Sequence, residues 1–346
     1  MSRARTDPGP PSSGPRAVVL LTAVAHEAFG AGLERPGVDW LTMEGDGTLR
    51  DGGGRTVEPD DARADVAWGT SDLFRQGAPI GAFFGLLTRI DGLAWFQSPA
   101  AGFDDSVFSE LVARGVRVSN AHVNSLPIAE FVMRSVLDEL QDAQQWRSLA
   151  GQREWKIHDW RELSGTTWLI VGLGGIGSAV AVRARAFGAR VIGCRRHPAA
   201  DDPTDRTVTP DQLPEVVGQA DVIVLAAPST PDTTDLFDAP LLARVQPGAI
   251  FVNVARGTLV DEDALLEALD RGRPGVAVLD VFRQEPLPED HPFWTHPSVR
   301  VTPHNAAGGS GRFLRQAELF ADNLDRYLAG RRLIHDVTAE IAGRVS

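Results

Sequence analysis

From about Leu163 the chain repeats one pattern: a short, nearly continuous apolar run, then turn residues, then a helix-compatible stretch. The runs are WLIV (168–171), RVIG (190–193), DVIVLA (221–226), AIFVNV (249–254), GVAVLDV (275–281) and VRVTP (299–303). Runs this short, rich in β-branched residues and without polar alternation, predict strands buried on both faces of a parallel sheet built from βαβ units. Weaker runs of the same kind, AVVLL, DVAWG (65–69), LAWFQS (93–98) and VRVSN (116–120), predict a second, smaller α/β lobe between residues 17 and 120. After Ser125, LPIAEFVMRSVLDELQDAQQW places Ile128, Phe131, Val132, Val136 and Leu140 at three- and four-residue spacings, which predicts one long helix bridging the lobes. A final helix over 312–328 carries Phe313, Phe320, Leu324 and Leu328 on one face and stops at Gly330, returning the chain to the first lobe. The Gly-rich text between Glu44 and Arg55 reads as a loop.

The WLIV run leads directly into GLGGIG, in which Gly172, Gly174 and Gly177 match G-x-G-x-x-G ahead of a helical stretch. In that setting Gly172 allows the tight turn, Gly174 lets a pyrophosphate approach the backbone, and Gly177 lets the helix pack closely while its N-terminus stabilises the anion. The second strand of such a fold ends in a carboxylate that bonds the adenosine ribose of NAD. Here, eighteen residues past Gly177, stands Arg195, followed by Arg196. A guanidinium in place of a carboxylate removes repulsion toward a 2′-phosphate and offers paired, charge-assisted bonds to it, so NADP is favoured over NAD.

Ligands of open parallel sheets bind beyond the carboxyl ends of the strands. Three successive runs are followed there by Arg256, by Asp280 and Glu285, and by His304. A cationic fork, a carboxylate and an imidazole suit hydride transfer to a 2-oxo acid: Arg256 holds the substrate carboxylate and His304 gives a proton to the carbonyl oxygen. Glu285 orients His304 and, as an adjacent anion, favours the imidazolium.

Composition narrows the classes. A chain of 346 residues exceeds one ordinary core, in keeping with two lobes. A net charge of −12 disfavours nucleic acid and confines any anion to a locally basic pocket. The single cysteine, Cys194, excludes an internal disulfide, suits a reducing cytoplasm, and reads as structural rather than reactive; no zinc-like Cys/His spacing occurs, so no metal is expected. The run AVVLLTAVA (17–25), preceded by Arg3 and Arg5, superficially resembles a secretory signal, but it is about half a membrane span long and reads as a first strand. The prolines at 8, 10, 11 and 15 predict a disordered leader over 1–15, and no membrane-spanning helix is expected elsewhere.

Several ordered motifs together give the chain a recognisable likeness: SPAAGFDD (98–105), the IAEF of the bridging helix, GLGGIG, NVARGTLVDEDALLEAL (253–269), LDVFRQEPLP (279–288) and TPHNAA (302–307). In these it resembles the D-isomer-specific 2-hydroxyacid dehydrogenases, particularly the glyoxylate/hydroxypyruvate reductase branch. The resemblance implies a Rossmann-type parallel-sheet cofactor domain (125–308) inserted into a flavodoxin-like substrate domain (16–124 and 309–346), and a homodimer formed largely through the cofactor domains. It implies Arg256, Glu285 and His304 as the catalytic trio, the backbone at Ala101 and Gly102 as the substrate-carboxylate seat, and Asp280 as the partner of the nicotinamide carboxamide. Gly175, Ile176, Pro228, Thr234, Val254, Ala255 and Ala306 are implied along the cofactor path, and Trp68 is placed on the substrate side, with core packing as its alternative. Glu285 in place of glutamine disfavours the formate dehydrogenase branch. The segment 77–92 is longer and more apolar than the family pattern and is expected to alter the cleft or an interface. The resulting expectation is an NADPH-preferring reductase of small 2-oxo acids. Its alternatives are a dehydrogenase of a larger branched or aromatic 2-hydroxy acid and a cofactor-sensing, non-enzymatic binding protein of the same fold.

Overall fold

A computed structural model describes residues 17–74, 77–99, 102 and 106–345; the expected leader lies outside them. The chain divides into two compact units, residues 1–121 with 313–346, and residues 122–312.

Among the described residues the first unit carries seven strands: β1 (Ala17–Thr22), β2 (Val38–Met43), β3 (Leu49–Asp51), β4 (Thr56–Val57), β5 (Val66–Trp68), β6 (Trp95–Gln97) and β7 (Arg117–Ser119). Their order is β4-β3-β2-β1-β5-β6-β7. The β2-β1-β5-β6-β7 part is parallel, and this reversal of order beside β1 is the flavodoxin-like arrangement. The expected loop at 44–55 instead holds β3 and leads into β4, both antiparallel. Its glycines and aspartates make the turns of two tight hairpins: the Asp51 carboxylate accepts the backbone N–H of Gly53 and of Arg55.

Each face of this sheet carries its own core. On one, Phe320 and Leu324 of helix Arg312–Leu328 meet Trp68 and Trp95, and the Phe320 ring stacks on Trp68 at 4.6 Å between centroids. On the other lies helix Ile80–Leu87, whose Phe83, Leu86 and Leu87 are buried with Phe96 and Val118. The unusual apolarity of residues 77–92 is therefore largely core packing. Trp68 is corrected in the same way: it is 1% exposed and lies within the aromatic core, because alternate residues of a strand face opposite sides and its side falls under Phe320.

The second unit also has seven strands: β8 (Thr167–Val171), β9 (Arg190–Cys194), β10 (Arg206–Val208), β11 (Val222–Leu225), β12 (Ile250–Asn253), β13 (Val276–Leu279) and β14 (Val299–Val301). All are parallel, in the order β10-β9-β8-β11-β12-β13-β14. This is the Rossmann order, with its switch point between β8 and β11. Separate apolar clusters cover the two faces, so each inner strand is buried on both sides, as its unbroken hydrophobicity requires. The helix expected after Ser125 is two helices, Ser125–Leu140 and Ala143–Gln152. Asp142 between them is left-handed (φ 51°), and its carboxylate caps the second helix by accepting the Gln145 N–H at 3.2 Å.

Candidate active site

The glycine turn has the geometry that a close-lying anion needs. Gly172 has φ +99°, and a Cβ there would lie 2.5 Å from the Ala227 nitrogen, so neither the conformation nor the space admits a side chain. A Cβ on Gly177 would fall on the Gly172 carbonyl oxygen, which fixes how closely helix Gly175–Ala186 approaches the end of β8. Gly174 is the opposite case: a Cβ there would meet nothing within 4 Å. The backbone is thus closed behind the turn and open in front of it, at the first N–H groups of a twelve-residue helix.

Beside this turn is a cavity of about 310 Å³, lined by Gly172, Cys194, Arg195, Arg196, Pro228 and Thr233 among others. A carboxylate that would repel a phosphorylated ribose is missing from the end of β9, and two guanidinium groups and His197 stand on the cavity wall instead. An open N-terminus and a cavity that carries Arg195 and Arg196, with Asp232 also on its wall, fit a dinucleotide. Pro228 lies on this wall. Thr234 is exposed and bonds back to the Thr230 carbonyl, leaving Thr230 and Thr233 as the threonines that line the cavity.

Adjacent β12, β13 and β14 carry the remaining chemistry at their carboxyl ends. His304 Nδ1 lies 2.7 Å from Glu285 Oε2, while Glu285 Oε1 accepts the Phe282 N–H at 3.0 Å. With Nδ1 donating to the carboxylate, Nε2 of the half-exposed ring is left for another partner. His304 itself has φ +48°, an uncommon backbone conformation for a side-chain-bearing residue. The adjoining turn is tied to Asp280, whose Oδ1 accepts Thr302 Oγ1 (2.6 Å) and the Asn305 N–H (2.9 Å) and whose Oδ2 accepts the Ala306 N–H (2.9 Å). The Asp280 backbone carbonyl accepts the His304 N–H at 2.8 Å. Asp280 is 2% exposed, so its visible work is to hold the 302–306 turn, a role that its expected contact with a carboxamide does not describe.

Arg256 lies three residues beyond the end of β12, half-buried, with Nη1 donating to the Ala255 carbonyl at 2.7 Å. Two residues that sequence reasoning missed brace it. Asn253, 1% exposed, donates from Nδ2 to the Arg256 carbonyl and accepts the Ala255 N–H. Gly257 has no room for a side chain, since a Cβ would overlap the Phe282 carbonyl carbon. The Arg256 turn and the loop leading to Glu285 therefore lie backbone to backbone. The signals existed: a polar residue closing an apolar strand, and a glycine immediately after a candidate ligand.

Val254, Ala255 and Ala306 are buried at the same strand ends, and Gly175 and Ile176 open the glycine-turn helix half-buried. In the first unit Gly102 is half-buried, whereas Ala101 lies outside the described residues.

Comparison with known proteins adds relatives to this geometry. Residues 133–306 match the family described as D-isomer specific 2-hydroxyacid dehydrogenase, NAD binding domain. Glyoxylate/hydroxypyruvate reductase A of Serratia proteamaculans is 36% identical over 178 residues, which are 51% of this chain and 57% of that protein, so the match spans little more than half of that relative. Glyoxylate/hydroxypyruvate reductase B of Citrobacter koseri is 31% identical over 272 residues, 75% of this chain and 82% of that one. The crystal structure of an NADPH-dependent glyoxylate/hydroxypyruvate reductase from Sinorhizobium meliloti, in complex with NADP and sulfate, aligns with a TM-score of 0.74 at 28% identity, covering 94% of this chain and 99% of that chain.

Proposed function

The chain belongs to the D-isomer specific 2-hydroxyacid dehydrogenase family, and on that premise we propose that it reduces a small 2-oxo acid, of the glyoxylate or hydroxypyruvate kind, to the D-2-hydroxy acid with NADPH as preferred cofactor. The observation that carries the chemistry is the His304–Glu285 pair beside Arg256 on three adjacent strand ends. The nicotinamide supplies the hydride that the carbonyl carbon receives. Arg256 holds the substrate carboxylate through its planar fork, and the protonated His304 Nε2 gives its proton to the carbonyl oxygen as negative charge develops there. Glu285 keeps the ring oriented and offsets the charge of the imidazolium. In the reverse direction the neutral ring accepts the same proton.

NADPH is favoured by Arg195 and Arg196 on the wall of the cavity and by the NADP complex of the Sinorhizobium relative. The small-substrate reading follows the names of the Serratia and Citrobacter relatives. Support for a larger substrate rested on residues 77–92, which pack into a core. A homodimer is supported by four large apolar side chains exposed within a short stretch of the second unit: Trp146, Trp155, Ile157 and Trp160, the third of these 89% and the second 98% exposed. A cytoplasmic setting agrees with the single buried thiol, and no helix among the described residues is long and apolar enough to cross a membrane.

The test is a panel of 2-oxo acids assayed with NADPH and with NADH, on the wild type and on Arg256→Ala. Turnover of a small 2-oxo acid, faster with NADPH, with kcat/KM lowered at least about 100-fold in the variant and cofactor affinity largely kept, is the expected result. No oxidation of either cofactor with any acid, or full activity of the variant, overturns the reading.

A further inference from the structure

The guanidinium that replaces the ribose-binding carboxylate is not free. Arg195 Nη1 donates to Asp202 Oδ1 at 2.6 Å. The two partners differ in setting: the Asp202 side chain is 5% exposed and that of Arg195 37%. Asp202 is also fixed from below, because its Oδ2 accepts the Ala199 N–H at 2.9 Å and its own N–H bonds the Ala199 carbonyl. The Arg195 N–H in turn bonds the Val208 carbonyl of β10, so the base of the arginine side chain is held by the sheet edge and its tip by a buried carboxylate. Four of the five guanidinium N–H groups have no partner among the described residues, and the side chain lines the cavity beside Gly172.

From this geometry we infer that Asp202 is a positioning residue for cofactor choice: it locks the Arg195 fork in place so that the remaining N–H groups present a preformed seat for the 2′-phosphate of the dinucleotide. The inference rests on the NADPH reading above. An arginine on an exposed strand end samples many rotamers, and immobilising it at the moment of binding costs affinity; a partner that immobilises it beforehand removes that cost. Asp202 suits the task because it remains an anion in the fold. Burial pulls its carboxyl upward, but the Ala199 N–H and the Arg195 guanidinium outweigh burial and hold it below the ordinary carboxylate range. Asp202 adds a negative charge near the site, so an anion that merely competed with phosphate for Arg195 would have the opposite consequence. The two roles give results of opposite sign.

The experiment measures binding of adenosine 2′,5′-bisphosphate and of AMP by calorimetry to the full chain as wild type, Asp202→Asn, Arg195→Ala and the double variant. Positioning predicts that Asp202→Asn weakens the bisphosphate roughly ten-fold, leaves AMP unchanged, and has no further effect once Arg195 is alanine. The unchanged AMP affinity separates this from general loss of folding, which lowers both. Bisphosphate affinity that rises or stays level in Asp202→Asn, or an equal loss for AMP, overturns the role of Asp202 while leaving the NADPH reading intact. A wild type that binds the two nucleotides equally overturns the NADPH reading, and the inference with it.

Discussion

Asp280→Asn distinguishes a residue that touches cofactor from one that shapes the turn carrying His304. The native carboxylate accepts three hydrogen bonds, two on Oδ1 and one on Oδ2, from donors in the 302–306 segment, and it is 2% exposed. Asparagine retains one acceptor oxygen, which can serve Thr302 and Asn305. Its amide nitrogen then faces the Ala306 N–H, so one donor is left buried without a partner and the other two bonds lose their charge assistance. Hydrogen bonds to charged groups contribute about 1.5–3 kcal/mol each, and neutral ones about 1, so the change costs on the order of 3 kcal/mol. His304 sits in this turn at φ +48°, a conformation held by the surrounding bonds, so the cost falls on the position of its ring.

Two assays follow from that number. Urea unfolding, read by tryptophan fluorescence, is expected to show a lower midpoint for the second unit, whose sheet contains Trp168. Steady-state kinetics are expected to show kcat reduced roughly 100-fold, the scale of a misplaced catalytic group, with the KM for cofactor little changed. Were Asp280 chiefly the carboxamide partner, asparagine would raise the cofactor KM and leave both the midpoint and kcat near wild type. That pattern refutes the turn-holding role.

Gly257→Ala forces a methyl group into the backbone of Phe282 and Arg283, which no rotamer change can relieve; kcat/KM is expected to fall by roughly 100-fold or more, checked against circular dichroism to show that the sheet persists. Cys194 is 2% exposed and burial, with Asp211 nearby, pushes its thiol up to about 12, so the native protein should resist alkylation at pH 8 and take up one label only when denatured. The same shift carries a pH sign: the folded thiol holds its proton more tightly than the unfolded one, so this stabilisation is complete below pH 9 and declines as pH rises from about 9 to about 12, a decline that melting curves of Cys194→Ser should not share. Burial also raises Glu262, against the opposing Arg283 N–H and His291, so its ionisation burdens the fold as pH rises above 4.5. Glu262→Gln keeps an acceptor for the Arg283 N–H, and its melting temperature should exceed wild type at pH 7 but not at pH 4; a lower value at pH 7 would show that the contact with His291 outweighs the burial of charge.

The inner strands of the second sheet were readable because burial on both faces leaves no polar alternation to hide them: the runs from WLIV to GVAVLDV became its interior strands, and VRVTP became the edge strand β14. Short strands with polar members were not. β10 reads RTV and β3 reads LRD, three residues each, and nothing in such a string separates a strand from a turn until its neighbour is known. The break at Asp142 was hidden for a related reason: a capping aspartate and a solvent-facing aspartate look alike inside a helical period.

The candidate site divides along the same line. Arg256, Glu285 and His304 could be grouped from sequence because a parallel sheet brings the ends of successive strands together, so order along the chain becomes proximity in space. Residues that act on other residues have no such rule. Gly257 matters because the Phe282 backbone is behind it, and Asn253 because two amides of the following turn need partners; neither fact is local. Trp68 shows the converse error, since a large aromatic at a strand end suggests a ligand contact until the helix that covers it, 312–328, returns from the far end of the chain. Asp202 joins both lessons. Seven residues after Arg195, in a stretch that also contains Asp201 and Asp205, it has no feature to distinguish it from its acidic neighbours. Its bond to Arg195 and its burial single it out, and they turn the arginine from an isolated charge into half of a pair.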